Sequence, residues 1–170
     1  MSTYVALLRA VNVGGTGKLP MAALVKMCAA LGFEDARTYI ASGNAVFRSR
    51  LGEGKVKAAL EKRLADYAGK PVGVLVRTAG EMAAVLAANP FRTVPPNRTV
   101  AIFLDAAPAP SALGEVRGKR SELLALGTRE IYVAYKDGIA DSKLVIPCAA
   151  TGTARNMNTI AKLAALAGGN

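Results

Sequence analysis

The stretch RTYIASGNAVFRS, residues 37–49, constrains the fold more than any other part of this chain. Two short runs rich in strand-forming residues, 37–42 and 44–49, flank the dipeptide Gly43-Asn44. Glycine and asparagine tolerate the positive φ angles of a tight turn, so the pattern predicts an antiparallel hairpin. A sheet that turns antiparallel this early differs from the parallel sheet of a nucleotide-binding βα fold.

The segments around the hairpin alternate between strand and helix patterns. Residues 3–11 and 72–78 are typical of buried strands, and amphipathic helices are predicted over 20–31 and 53–69. The second helix is predicted to turn four residues inward: Val56, Leu60, Leu64 and Tyr67. The order β-α-β-β-α-β predicts an α+β fold that begins with a ferredoxin-like split unit.

The second half is predicted to repeat this order in abbreviated form. After a short helix over 80–88, three prolines in NPFRTVPPNR interrupt regular structure, which predicts one domain over 1–89 and another over 90–170. Beyond them we expect strands over 99–105, 122–126 and 129–136, helical segments over 111–118 and near 141–148, and a last amphipathic helix over 156–167.

Charge and hydropathy limit the partners of the chain. The net charge is +10, and residues 1–78 hold 12 Lys and Arg against 5 Asp and Glu. A basic face favours anionic partners, but the same charge also keeps a chain with 52% apolar residues in solution. The opening residues lack the features of a signal peptide, and no apolar run reaches the ~20 residues of a membrane span. We therefore expect a cytoplasmic location and no membrane partner.

The residue types present exclude several kinds of catalytic site. The chain has no histidine, which rules out Ser-His-Asp and Cys-His nucleophiles. Cys28 and Cys148 lack the spacing of a metal site and are expected to be buried thiols. No pair of carboxylates stands at a recognisable catalytic spacing. The sequence therefore assigns no catalytic residue, no metal and no cofactor, and it leaves open whether the protein is an enzyme.

The segment VNVGGTGKLP, residues 11–20, invites comparison with a phosphate-binding loop. Asn12 stands where that motif has its first glycine, and Leu19 replaces the hydroxyl residue that would bind Mg²⁺. The segment is therefore not a P-loop. Its backbone N–H groups beside Lys18 can still accept an anion, or its glycines can serve only as turn residues.

Three blocks of the sequence, taken together, resemble the bacterial family known as domain of unknown function 1697. The blocks are LLRAVNVGGTGKLPMAAL, LGFEDARTYIASGNAVF and TGTARNMNTIAKL. The resemblance implies an α+β fold with ferredoxin-like parts, and it brings no reaction with it. Met157 stands where the family usually has tryptophan, which favours packing over aromatic stacking at that position.

Two polar blocks are predicted to converge on a small anionic, phosphate- or nucleotide-like ligand. The candidate binding residues are Arg9, Asn12, Gly14, Gly15, Lys18, Arg155, Asn156, Asn158 and Thr159. In this hypothesis Arg155 provides a fork of N–H donors. The alternative is a structural or interaction protein in which these residues only cap helices and form turns. Whether the turn at 42–44 meets the end of the first strand is left open.

Single-stranded nucleic acid is the other partner that the sequence allows. Some ferredoxin-like sheets stack bases on exposed aromatic residues, and Tyr4, Tyr39 and Phe47 lie on the predicted strands of the basic half. The paired-aromatic octapeptide of the RNA-recognition motif is absent from the sequence.

Overall fold

The computed structural model describes residues 1–12 and 18–169. These residues form two four-stranded antiparallel sheets and four α-helices, which confirms the predicted α+β class. The chain divides into two compact units, Met1–Met82 with Leu163–Asn170, and Ala83–Lys162. The domain division expected between residues 89 and 90 stays a prediction.

The first unit is a sheet with two helices. Its elements are β1 (Ser2–Leu8), α1 (Met21–Ala30), β2 (Glu34–Thr38), β3 (Asn44–Ser49), α2 (Glu53–Ala68) and β4 (Val74–Thr78). The strands lie in the order β2-β3-β1-β4, and every neighbouring pair is antiparallel. The antiparallel pairing of β2 with β3 is confirmed, but β2 begins and ends earlier than predicted. The tight turn predicted at Gly43-Asn44 is wrong, because the connection runs over residues 39–43 and Asn44 is the first residue of β3. Ile40 takes a positive φ of 56°, which a strand residue does not adopt, and so belongs to the turn.

The core of the first unit lies between the sheet and both helices. Alternate residues of β1, namely Tyr4, Ala6 and Leu8, pack in one apolar cluster with Leu24 of α1 and Leu60 of α2. This follows from the period of two in a strand and the three- and four-residue spacing of a helix. The remaining apolar residues of β1 are also buried, as expected of an inner strand.

A short helix, α3 (Ala79–Ala87), follows β4 directly. Its start is fixed by reciprocal hydrogen bonds. The backbone N–H of Thr78 donates to Glu81 Oε1 at 2.9 Å, and the backbone N–H of Glu81 donates to Thr78 Oγ1 at 3.2 Å. This capping box satisfies two donors that a helix start would otherwise leave without partners.

The second unit contains a sheet with the same strand order. Its elements are β5 (Thr99–Phe103), β6 (Leu123–Leu126), β7 (Glu130–Ala134), β8 (Thr153–Asn156) and the start of α4 (Met157–Ala167). The strands lie in the order β6-β7-β5-β8 and are antiparallel. Four strand residues form the centre of an apolar cluster: Val100, Ile102, Ile131 and Val133.

The helices predicted over 111–118 and 141–148 are wrong. Each segment contributes one short 3-10 turn, Ala112–Glu115 and Pro147–Ala149. The physical reason is a pairing between the two segments, in which Arg117 and Val145 exchange both backbone hydrogen bonds, at 2.9 and 2.8 Å. Residues that pair as an isolated bridge are extended and cannot belong to a helix.

The two cysteines differ in environment. Cys28 is buried in α1, as predicted, whereas Cys148 lies exposed in a 3-10 turn, so the expectation of a buried thiol there is wrong. None of the helices in the described ranges combines the length and apolar character that crossing a bilayer requires.

Candidate functional site

The predicted site residues fall into two groups that belong to different units. Arg9, Asn12 and Lys18 lie in the first unit. The other described candidates lie in the second unit: Arg155, Asn156, Asn158 and Thr159. Gly14 and Gly15 lie outside the described residues. The convergence of the two groups on one ligand stays a prediction.

The first unit has a pocket of about 370 Å³ at the end of β1. Three cationic side chains line it: Arg9, Lys18 and Lys70. Both lysines are exposed, and Arg9 is half-buried. No acidic residue is present among the described residues that line the pocket. The structure thus brings two predicted residues, Arg9 and Lys18, to one cavity and adds a third cation.

Arg9 is positioned by the chain that follows α2. Its backbone N–H donates to the carbonyl of Gly73 at 2.9 Å, which extends the pairing of β1 with β4 by one step. A Cβ atom on Gly73 would lie 3.1 Å from Arg9 Cδ. The missing side chain at residue 73 therefore leaves room for the aliphatic stem of Arg9 against the backbone.

The side chain of Asn12, just after β1, forms hydrogen bonds with the backbone of Leu19 and Ala41. Its Nδ2 donates to the carbonyls of Leu19 and Ala41, at 2.9 and 2.8 Å, and the N–H of Leu19 donates to Asn12 Oδ1 at 2.6 Å. Both hydrogens of the amide are used. The structure gives Asn12 a positioning role, and direct binding of a ligand by Asn12 stays a prediction that requires breaking one of these bonds.

The hairpin turn packs against the end of β1, which answers a question that the sequence left open. The N–H of Leu8 donates to the carbonyl of Gly43 at 2.9 Å. Gly43 has a φ of +89°, and a Cβ atom there would lie 2.6 Å from Val11 Cγ2. Asn44 is buried and donates to the carbonyl of Tyr39. The turn therefore supports the chain just before the pocket.

The apolar part of the pocket comes from α2 and its C-terminal flank. Leu64 and Tyr67 line the pocket, together with Val72. Leu64 is 1% exposed, whereas Tyr67 is 47% exposed, so the prediction that Tyr67 faces inward is wrong. Tyr67, which follows the buried residues of the stripe, is the one aromatic residue of α2, and it lines the pocket while staying exposed.

Lys70 and Tyr67 line the pocket but are not among the site residues predicted from the sequence. The sequence feature that could have pointed to them is the run Gly69-Lys70-Pro71, which indicates a helix end followed by a lysine. Gly69 takes the left-handed conformation, with a φ of 71°, that ends α2. After Gly69 the chain leaves the helix and lines the pocket with residues 70–73. The local sequence pattern predicts only that the helix ends here.

In the second unit, Arg155 lies on β8 and is buried. Its Nη1 donates to Thr153 Oγ1 at 2.8 Å and to the carbonyl of Ala154 at 3.0 Å. Burial lowers the pKa of Arg155 to about 10, so the guanidinium is still charged at neutral pH. The structure therefore shows an internal hydrogen-bonding role for Arg155, and its ligand role stays a prediction.

Asn156 caps α4. Its Oδ1 accepts a hydrogen bond from the backbone N–H of Thr159 at 3.0 Å, the usual geometry at a helix start. Asn158 is exposed, and Met157 is 4% exposed, as a packing residue would be. The capping alternative thus accounts for Asn156.

The aromatic residues considered for nucleic-acid stacking are mostly in the core. Tyr4 and Phe47 are 4% and 1% exposed. The ring of Phe47 stacks on Phe33 with centroids 4.5 Å apart, under the helices of the first unit. These two rings offer no face to a base. Among the described residues, no group of three or more metal-binding side chains occurs.

Comparisons with known proteins agree with the α+β fold. A family model described as "Protein of unknown function (DUF1697)" matches residues 1–132, so the motif at 151–159 lies outside the match. No curated protein matches the chain. Among solved structures, conserved bacterial protein SP0830 from Streptococcus pneumoniae is similar over 98% of each chain, with 22% identity and a TM-score of 0.78. At that identity the likeness concerns the fold alone.

Proposed function

The chain belongs to the DUF1697 family of proteins of unknown function, and we propose that its first unit binds a small anionic ligand in the pocket at the end of β1. The observation that carries the proposal is the lining of that pocket. Arg9, Lys18 and Lys70 surround one cavity of about 370 Å³, and no described lining residue is acidic. The ligand would be a metabolite of the cytoplasm, where we predict the protein to be.

Electrostatics favour an anion in this pocket. Like charges around one cavity repel each other, and a bound anion replaces that repulsion with attraction. Tyr67 and Ala68, at the C-terminal end of α2, also line the pocket, and a helix C-terminus carries roughly half a negative charge. Three full positive charges outweigh it. The residual field is positive, so it attracts anions and strengthens as salt is lowered.

The fold offers a frame for such a site. We propose that the first unit is ferredoxin-like, which the element order β1-α1-β2-β3-α2-β4 and the strand order β2-β3-β1-β4 support. The second unit repeats the strand order with 3-10 turns between its strands. Arg9 then follows an inner strand of a rigid sheet, which keeps its backbone in place.

The proposal is tested by titrating the full chain with inorganic phosphate, pyrophosphate and citrate while recording backbone amide NMR shifts. We expect at least one anion to shift the amides of residues 9–11 and 72–73 at concentrations up to about 10 mM, the weak end of specific affinity. The shifts should shrink as sodium chloride is raised.

Two variants and one control locate the charges that matter. Lys18→Gln and Lys70→Gln each remove one exposed charge from the lining, and each should weaken binding about three- to tenfold. Lys55→Gln removes an exposed charge nine residues before Leu64 on α2, about 14 Å along the helix, and should leave binding unchanged. If no anion shifts these amides, or if Lys55→Gln weakens binding as much as Lys70→Gln, the proposal is wrong.

A further inference from the structure

We infer that the ligand of this pocket carries a flat apolar ring beside its anionic group, an inference that rests on the proposed function. The first reason is size. A volume of about 370 Å³ lies within the ~300–1,000 Å³ range of pockets that enclose organic ligands. An inorganic phosphate would fill a small part of this space and leave the apolar wall in water.

The second reason is the division of the lining into two chemical halves. The cations come from the end of β1, from the segment before α1 and from the chain after α2. Leu64, Tyr67 and Val72 provide an apolar wall along the last turn of α2 and its flank. Leu64 and Tyr67 are three residues apart and so lie on the same helix face. A ligand that uses the whole cavity must therefore be amphiphilic.

The third reason is the exposure of the Tyr67 side chain. Tyr67 is 47% exposed although it continues a helix stripe whose other members are buried. The Tyr67 hydroxyl forms no hydrogen bond with any residue in the described ranges. An exposed aromatic face at the mouth of a basic pocket can stack on a planar group, and the stacking removes apolar area of both rings from water. The geometry thus points to an aryl or nucleobase group against Tyr67.

The decisive comparison uses two phosphate monoesters that differ only in the apolar part. Methyl phosphate and phenyl phosphate are titrated into the full chain by calorimetry at one salt concentration. We expect phenyl phosphate to bind at least about tenfold more tightly, because the ring is covered on binding. Adenosine monophosphate and ribose 5-phosphate form a second pair. A similar preference for the nucleotide would identify a nucleobase as the ring, and a preference limited to phenyl phosphate would identify a simple aryl anion.

Two variants of one residue separate stacking from charge. Tyr67→Ala should abolish most of the preference for the ring and leave the affinity for methyl phosphate within about twofold. Tyr67→Phe retains the ring and should retain the preference. Because Tyr67 is half exposed, neither change removes a core residue.

The possible failures are distinguishable. Equal affinity for methyl and phenyl phosphate in the unmodified chain, or a preference that survives Tyr67→Ala, would overturn the inference and leave the proposed function standing. Failure of both monoesters, together with phosphate, pyrophosphate and citrate, would overturn the proposed function itself.

Discussion

Replacement of Asn12 by alanine should destabilise the first unit by about 2–4 kcal/mol. The side chain makes three hydrogen bonds to the backbone, two with Leu19 and one with Ala41. A net value of roughly 1 kcal/mol for each bond gives about 3 kcal/mol, and partial access of water reduces this sum. Asn12 also has a φ of 56°, where alanine costs roughly 1 kcal/mol more than asparagine. The two contributions together give the stated range.

Thermal unfolding of the full chain, followed by circular dichroism, measures this loss. At ~2–4 °C for each kcal/mol in a chain of this length, a loss of about 2–4 kcal/mol means that Asn12→Ala should lower the Tm by about 4–16 °C. Asn12→Gly removes the same hydrogen bonds but accepts the positive φ, so it should be about 1 kcal/mol more stable than Asn12→Ala.

The same substitution has a consequence for the pocket. Leu19 and Val11 line the cavity on either side of the segment that Asn12 closes. Asn12→Ala should therefore weaken binding of phenyl phosphate even at temperatures where the chain is fully folded. A Tm within about 1 °C of the unmodified chain would refute the assignment of a structural role to Asn12, since three backbone hydrogen bonds cannot be lost at so small a cost.

Three further predictions concern other parts of the chain. Gly43→Ala combines a φ of +89° with a methyl group that would lie 2.6 Å from a buried one, so urea unfolding should show a loss of about 2–4 kcal/mol. The hydroxyl of Ser142 and nearby backbone N–H groups hold the pKa of Glu122 below its usual range. A lowered carboxyl pKa stabilises the folded state above the ordinary pKa, and the contribution is lost as the pH falls through the lowered value. Glu122→Gln should thus be less stable than the unmodified chain at pH 7, with a difference that disappears in acid, and equal curves at pH 7 would contradict this. A thiol reagent should modify Cys148 in the native protein but Cys28 only after unfolding, because burial raises the pKa of Cys28 to about 12.

Local sequence patterns predicted the elements of the first unit well, because the turn and helix signals that define them come from residues close together in the chain. Gly43 stands in the turn directly before β3, and the apolar stripes of α1 and α2 have helical spacing. The helical spacing predicted that Leu64 and Tyr67 both face inward, which is correct for Leu64 and wrong for Tyr67. Spacing tells which face of a helix a residue occupies, but not how far the neighbouring sheet extends beneath it.

The second unit was harder to predict because long-range pairing decides it. β8 has only four residues and pairs with β5, about fifty residues earlier, so no local pattern marks it. Gly118 has a φ of +69°, and a Cβ atom there would lie 2.1 Å from the carbonyl oxygen of Lys143. That close approach keeps 111–118 from forming a helix, and it becomes visible only when both segments are placed. Lys70, in the first unit, was not predicted as a site residue for the same reason, because it lines the pocket only once the chain after α2 pairs with the end of β1.

The hydrogen bonds from Asn12 to Leu19 join the two ends of the segment between them through one side chain. One amide fixes both ends, so an insertion or deletion between residues 13 and 18 changes a closed loop whose entropy grows only slowly, by about 0.6 kcal/mol for each doubling of length. Insertions between residues 12 and 19 should therefore leave the pairing of β1 with β3 and β4 in register. A library of loop grafts at this place, selected for binding rather than for stability, would exploit the same independence.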